Sequence, residues 1–306
     1  MRCQLPVVRS FQSDDLVAYV QLVNAIDRVD GLGKATSLVH ARERLWEPGF
    51  HPEADLFLAY ERSRLVGYVE TWSELEIGRV VLDGAVHPSF RRRGVGSALL
   101  ETAVERGMRL DAEVAHVPVA SVIEGTRSFL EKRGFGVVHE HWHMALVDGA
   151  PGPPAPPRGF EVRPFAAGDE AELCALQNEA FADHWGFRPN SVEQVGYLVN
   201  TSLCHHEGIL FVREGGKGVA YCWTADDAAD REKGYVRMIG VVPAYRGRGL
   251  GRLALVAAIR FLTGRGLRKI ELLVDSTNEA AIGLYRSLGF RKGGETLWYE
   301  RGLGSG

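Results

Sequence analysis

The residues best suited to chemistry form a basic, glycine-rich stretch, Val241-Val242-Pro243-Ala244-Tyr245-Arg246-Gly247-Arg248-Gly249-Leu250-Gly251, followed by Arg252. Glycine lets a backbone bend where a Cβ would clash. An apolar, β-prone run from Tyr235 to Val242 leads in, and Leu250, Leu253, Ala254, Ala257 and Ala258 then share one helical face. A strand, a glycine turn and a helix start together make an anion cradle. The free N–H groups of the first helical turn point at the ligand, and the helix dipole favours negative charge. Arg246, Arg248 and Arg252 add charge that suits a phosphate or pyrophosphate. The stretch is not a P-loop, because no Lys-Ser or Lys-Thr follows the glycines. Nor does its G-x-G-x-G match the dinucleotide fingerprint G-x-G-x-x-G.

The stretch has a copy. Val86-His87-Pro88-Ser89-Phe90-Arg91-Arg92-Arg93-Gly94-Val95-Gly96-Ser97 places Pro88, Arg91, Gly94 and Gly96 each 155 positions before Pro243, Arg246, Gly249 and Gly251. Gly134-Phe135 and Gly289-Phe290 keep the same offset. A repeat of this length is a duplicated domain rather than a solenoid. The expected layout is a first domain over 1–148, a proline-rich linker over 149–159 and a second domain over 160–306. Proline at the linker's density holds an extended, semi-rigid chain.

These loops need elements to hold them. In the first half, strands are expected at 4–9, 56–60, 65–70, 79–86 and 112–118. Helices are expected from Ser13, over 34–47, from Gly94 to about Arg109, and from Ser128 to Arg133, ending at Gly134. A strand from Val137 to Val147 is expected to close the half. In the second half, strands are expected at 160–165, 209–213, 219–224, 235–242 and 269–274, with 290–300 as the last. Helices are expected from Asp169, from an N-cap at Ser191, over 251–264 and over 278–288, with Gly302 to Gly306 as a tail. Both halves run in one order, as in an α/β domain.

Arg246-x-x-Gly249-x-Gly251 resembles the acyl-CoA pyrophosphate loop Q/R-x-x-G-x-G/A of the GNAT N-acetyltransferase superfamily. Asn278-Glu279-Ala280-Ala281-Ile282-Gly283-Leu284-Tyr285-Arg286-Ser287-Leu288-Gly289-Phe290 resembles its N-x-x-A-x-x-x-Y-x-x-x-G-F. The tandem layout is similar to mycothiol synthase-like acetyltransferases. The resemblance implies two GNAT-like domains, each a mixed central sheet flanked by helices. It implies acetyl-CoA as co-substrate and transfer of its acetyl group to a primary amine of a small molecule. The cofactor would lie along Ile239, Val241 and Val242, with its pyrophosphate on Arg246, Gly247, Arg248, Gly249, Leu250, Gly251 and Arg252. Its pantetheine arm would run by Asn278 and Ala281.

Backbone N–H groups near Ile239 to Val241 would stabilise the oxyanion. Tyr285 would protonate the departing thiolate; a core aromatic is its plain alternative. The glutamate that relatives carry on the strand before the loop is replaced by Tyr235. That leaves Glu179, Asp183, His184 and Glu232 as candidates for the base. In the first half Val86, Arg91, Arg92, Arg93, Gly94, Val95, Gly96 and Ser97 keep the loop. Leu130 and Ile123, however, stand where Tyr285 and Asn278 would be. That half is expected to be catalytically degenerate, either binding acyl-CoA without reacting or only packing.

His139, His141 and His143 alternate on one strand face. Same-face neighbours stand about 7 Å apart, wide for one tetrahedral ion, which favours a polar face over a metal site. No metal is expected. With 45% hydrophobic and 25% charged residues and a formal net charge of −3, nothing global argues for nucleic acid or a membrane surface. No charged-then-apolar leader is expected, and no apolar run reaches the roughly 18 residues of a membrane span. Cys3, Cys174, Cys204 and Cys222 lack C-x-x-C spacing and read as reduced thiols of a cytoplasmic protein. A protein or peptide N-acetyltransferase and a non-catalytic acyl-CoA-binding module are the rival functions. The oligomeric state is not readable.

Overall fold

The computed structural model describes residues 6–120, 125–147, 149, 151–152 and 155–304. Cys3 and Ile123 lie outside them. In chain order the first elements are β1 (Val7–Ser10), α1 (Leu16–Asp30), α2 (Leu38–Leu45), α3 (Pro52–Asp55), β2 (Leu56–Glu61), β3 (Arg64–Glu74), β4 (Arg79–Val86), α4 (Val95–Arg109), β5 (Val114–Ala120), α5 (Thr126–Glu131) and β6 (Gly136–Val147). The series then repeats as β7 (Phe160–Pro164), α6 (Glu170–Phe181), α7 (Val192–Val199), β8 (Cys204–Glu214), β9 (Lys217–Asp226), β10 (Lys233–Val241), α8 (Leu250–Gly264), β11 (Lys269–Asp275), α9 (Glu279–Ser287) and β12 (Arg291–Gly302). The fold is α/β.

Local chemistry sets several ends. Gly31 at φ 65° stops α1. Ser191 and Gln194 form a reciprocal capping box on α7. Asn278 caps α9 by accepting the Ala281 N–H at 3.0 Å.

The chain divides into two compact units. One holds residues up to Glu140 together with those from Thr296 on, and the other holds His141–Glu295. In the first unit the strand order is β1-β2-β3-β4-β5-β12. All neighbours are antiparallel except the parallel pair β4/β5. In the second unit the order is β6-β11-β10-β9-β8-β7, with β10/β11 the parallel pair.

The pairing of the closing strands corrects the expectation. β6 does not close its own half: His141 to Val147 pair with Asp275 to Lys269 of β11. β12 instead pairs with β5, Thr296 to Gly302 against Ala120 to Val114. Each unit takes its closing strand from the other half of the chain. The expected tail is corrected too. β12 runs through Gly302, and Leu303 is buried, its N–H donating to the Glu113 carbonyl at 2.7 Å.

In each unit the sheet has an apolar core on both faces. In the second, α8 and α9 cover one face with Leu250, Leu253, Ala254, Ile282 and Tyr285 against Cys222, Val236, Leu272 and Met144. On the other face, Leu173, Leu176, Ala180, Val195 and Val199 of α6 and α7 pack on Phe211, Tyr221 and Trp223. In the first, α4 covers one face and α1 and α2 the other.

Candidate active site

The parallel ladder of β10 and β11 registers Lys233–Lys269 through Val236–Leu272 and stops there, although both strands continue. β10 stays paired to β9 as far as Val241–Ala220, with a bulge between Val236 and Met238. A bulge re-aims the strand and ends regular pairing. Beyond Val236 the facing edges of β10 and β11 are therefore not committed to each other. Ile239 and Val241 lie on this free stretch of β10.

Val242, expected beside them, is buried against α6 and α7, and its N–H is given to the Val219 carbonyl at 3.0 Å.

Gly247 and Gly249 adopt φ 78° and 76°, a region costly for residues with a Cβ. Gly249 is the N-cap of α8 and puts no side chain over the helix end. The first intrahelical acceptor is the Gly249 carbonyl, bonded by the Leu253 N–H, so the amides ahead of Leu253 face outward. Gly251 sits where a Cβ would only touch Val241 and Leu284, at 3.4 and 3.6 Å.

Arg246 is held by protein partners. It donates from Nε to the Val241 carbonyl (3.2 Å), from Nη2 to the Ala180 carbonyl (2.9 Å) and from Nη1 to Asp183 (2.7 Å). It clamps the loop to the end of α6. Arg248 stacks on Tyr245, 4.9 Å from the ring centre. Arg252 donates to Ser287 Oγ at 2.9 Å. Arg252, Ser287, Arg291 and Lys292 line a groove of about 770 Å³.

Tyr285 is 4% exposed, in the core under α8 and α9. Burial pushes its hydroxyl well above the usual tyrosine value, and neighbouring Cys222 adds to the shift.

The first unit repeats the cradle. β4/β5 pairing stops at Val81–His116, and Gly94, at φ 87°, caps α4 without a side chain. Arg91 donates to the Val86 carbonyl at 3.0 Å and pairs with Asp30, as Arg246 does with Asp183. Arg92 adopts φ 62°. Arg93 pairs with Glu61 at 3.4 Å, and Val95 is buried. Gly96 lies by Phe129 and Val86, and Ser97 accepts from Arg133 at 2.6 Å.

Other features differ. β4 carries no bulge. Leu130 is a buried core residue. On the α1/α2 face, Glu70 is fully buried and accepts from Tyr19 (2.6 Å), Arg44 (2.6 Å) and Trp72 (2.8 Å). Opposite it in register, Asp83 takes Lys34 at 2.8 Å. The same two ladder positions in the second unit are Trp223 and Met238.

Two matches to family models place these loops in context. Residues 171–290 match the acetyltransferase (GNAT) family, and residues 52–137 match an acetyltransferase (GNAT) domain. A mycothiol acetyltransferase of Thermobispora bispora is 33% identical over 81% of this chain and 84% of that protein. The chain belongs to the GNAT acetyltransferase family. Its fold is shared with the GCN5-related N-acetyltransferase of Sphaerobacter thermophilus (TM-score 0.76, 24% identity, 98% of this chain and 96% of that one). It is shared too with a tandem GNAT protein from the clavulanic acid biosynthesis pathway (TM-score 0.77, 18% identity, 99% and 98%).

This GNAT protein is thus an acyl-CoA N-acyltransferase built from two tandem GNAT domains. No helix among the described residues is long and apolar enough to cross a membrane. Among those residues, no group of His, Cys, Asp or Glu is arranged to hold a metal.

The four candidate bases fare differently in this acetyltransferase. The Arg246 guanidinium holds the Asp183 carboxyl far below the usual carboxylate range, which makes it a poor proton acceptor. His184 lies against Asp183 at 3.1 Å and beside Phe181. Glu232 precedes β10, at the end of that strand away from its free stretch, and its carbonyl accepts from Arg268 and Lys269. Glu179 lies on α6.

Tyr235, where a glutamate was expected, donates to Asp227 at 2.6 Å and is pushed up to about 12, chiefly by burial. Sequence reading missed the charged group around it. Lys233 lies 3.3 Å from Asp227 and 3.2 Å from Glu271, and Lys269 lies 2.7 Å from Glu271. Alternation along β10 and β11 could have signalled a polar face, but only pairing brings the two strands' charges together.

Proposed function

We propose that this protein transfers an acetyl group from acetyl-CoA to a primary amine of a small molecule, with the chemistry in the second unit. What carries the reading is the gap between β10 and β11 beyond Val236, opening beside the uncapped start of α8. The thioester would lie in that gap and the pyrophosphate on the amides ahead of Leu253. The developing oxyanion would meet backbone N–H groups near Ile239 to Val241. Arg252, with the groove toward Arg291 and Lys292, suits the nucleotide end of the cofactor. Asn278 and Ala281, at the start of α9, would border the pantetheine arm, and Tyr285 would return a proton to the thiolate.

The first unit keeps an N–H cradle. Its α1/α2 face, however, is filled by ion pairs of Arg44 and Lys34 with Glu70 and Asp83, and Leu130 offers no proton. This supports a binding or packing role there. Relatives named mycothiol acetyltransferases make a sugar-linked cysteinyl amine the first acceptor to try. The acyl-CoA chemistry is consistent with a cytoplasmic location.

The test is calorimetric titration with acetyl-CoA, alongside mass detection of an acetylated sugar-linked cysteinyl amine. We expect turnover in the wild type and none in Gly249→Glu. Binding without turnover on any primary amine would favour the non-catalytic module. Turnover on peptides alone would favour a protein acetyltransferase.

A further inference from the structure

Resting on the assignment of chemistry to the second unit, we propose that Arg237 selects the acceptor by taking a carboxylate carried on it, which makes the substrate an amine of the amino-acid class. The argument begins with the β10 bulge. Val236 pairs with Thr224, and Met238 pairs with Trp223, its neighbour on β9, so Arg237 is the extra residue. A bulged residue is re-aimed rather than paired. Val236 packs under α8 and α9, whereas Met238 and Trp223 belong to the core under α6 and α7. The Arg237 guanidinium lies 6.0 Å from the centre of the Trp223 ring, so it stands on the α6/α7 side with Met238. An unbroken strand would send these two neighbours to opposite faces.

That side is where an acceptor can arrive, because α8 and α9 close the other. The α6/α7 core covers β8 and β9 and leaves Arg237 exposed. On β11, Leu272 and Val274 are buried under α8 and α9. Leu273 between them therefore faces the α6/α7 side, where it is 50% exposed. Arg237 on β10 and Leu273 on β11 are the first residues past the end of the ladder. The gap thus opens between a cation and an apolar side chain.

The nearby carboxylates do not neutralise this cation. Asp227 accepts from Tyr235 and pairs with Lys233. Glu271 is held between Lys233 and Lys269, and Asp226 by Arg265 and His205. Arg237 favours the thiolate of Cys204, but burial outweighs it and keeps that thiol neutral. Among the described residues, Arg237 has the Trp223 ring for a neighbour and no ion pair.

The first unit shows the closed alternative. Its β4 has no bulge, and buried Leu82 stands at the duplicated position. There Arg44 and Lys34 meet Glu70 and Asp83 of the chain itself. In the second unit the carboxylate that answers Arg237 is the substrate's. A guanidinium gives two parallel N–H bonds to a carboxylate, and the indole face beneath steadies it. Leu273 then borders the apolar part of the acceptor.

The test compares kcat/KM for L-cysteine, L-leucine and 4-aminobutyrate, each against its primary amide, by mass detection of the acetylated amine. The sugar-linked cysteinyl amine and phosphoethanolamine complete the panel. For the two α-amino acids the comparison is weighted against the proposal, because removing the carboxylate lowers the amine's own pKa and frees more of it. In the wild type we expect at least one acid to exceed its amide by about 10- to 10²-fold, mainly through KM. Arg237→Gln should bring that ratio close to one, and Arg237→Glu should reverse it. Arg237→Lys, which keeps the charge but not the fork, should fall between. Acetyl-CoA affinity should hold in all three variants. Amides that match or exceed their acids in the wild type would overturn the proposal, as would an acid preference that survives Arg237→Gln. So would turnover confined to the sugar-linked amine or to phosphoethanolamine, or no turnover on the panel while acetyl-CoA binds. Gly249→Glu, run in parallel, tests the underlying assignment separately. Turnover surviving it, or a wild type that binds no acetyl-CoA, removes both readings; turnover lost there with no acid preference in the wild type removes the role of Arg237 alone.

Discussion

Tyr285, the proposed proton donor, shows what burial does to a phenol. Its raised pKa makes it a weaker acid but keeps the hydroxyl protonated throughout the neutral and mildly alkaline range. The departing thiolate, with a free-thiol pKa of about 8.5, needs only modest help. Tyr285→Phe should therefore lower kcat by about 10²-fold while leaving acetyl-CoA affinity nearly unchanged, as read by steady-state kinetics and calorimetry. No alkaline limb below about pH 10 should trace to this residue.

Asp183 is the second residue-scale case. Its pair with Arg246 is exposed, so Asp183→Asn should cost no more than about 1 kcal/mol of stability. The folded pKa of Asp183 is depressed by Arg246. Any contribution is therefore present above the unfolded value of about 3.9 and is lost as pH falls through the folded value. The larger effect should be a several-fold weaker affinity for acetyl-CoA, because Arg246 then no longer anchors the loop to α6.

At the scale of elements, two glycines do different work. Gly249 needs its positive φ but faces open space. Gly249→Ala should cost about 1–2 kcal/mol through backbone strain alone. Gly240 on β10 is packed instead: an added Cβ would stand 2.7 Å from a Tyr221 ring carbon and 2.8 Å from the Ala180 Cβ. Gly240→Ala should lose about 1–3 kcal/mol by overpacking, seen as a lower Tm. The substitution would press β10 away from α6, the helix to which Arg246 ties the loop, so acetyl-CoA affinity should fall with it.

At the scale of the whole molecule, the exchange of closing strands has a direct consequence. Each unit contains chain from both halves, β12 beside β5 and β6 beside β11. A protease cut in the 155–158 segment should leave the two fragments associated under native conditions, as read by size-exclusion chromatography, and should separate them in denaturant. Residues 1–148 expressed alone should lack the strand that covers β5, expose an unpaired edge and aggregate. Co-expression with 160–306 should restore a folded species.

The sequence by itself determined the duplication, the order of strands and helices, and both glycine cradles. These rest on local rules: periodicity, caps, and glycine where φ is positive. Arg79–Val86 and Ser191 as an N-cap were legible for that reason. Tertiary structure decided what local patterns cannot encode. The strand pattern of 137–147 is the same whether it pairs with β5 or with β11, and only the assembled sheet selects the partner. Arg246 reads as an open loop arginine in the sequence, and only the structure adds Asp183, 63 residues away, as its partner. His143 reads as one of three alternating histidines until pairing sets it opposite Leu273 of β11. Charge and reach depend on neighbours distant in sequence, and register across the sheet is what brings those neighbours together.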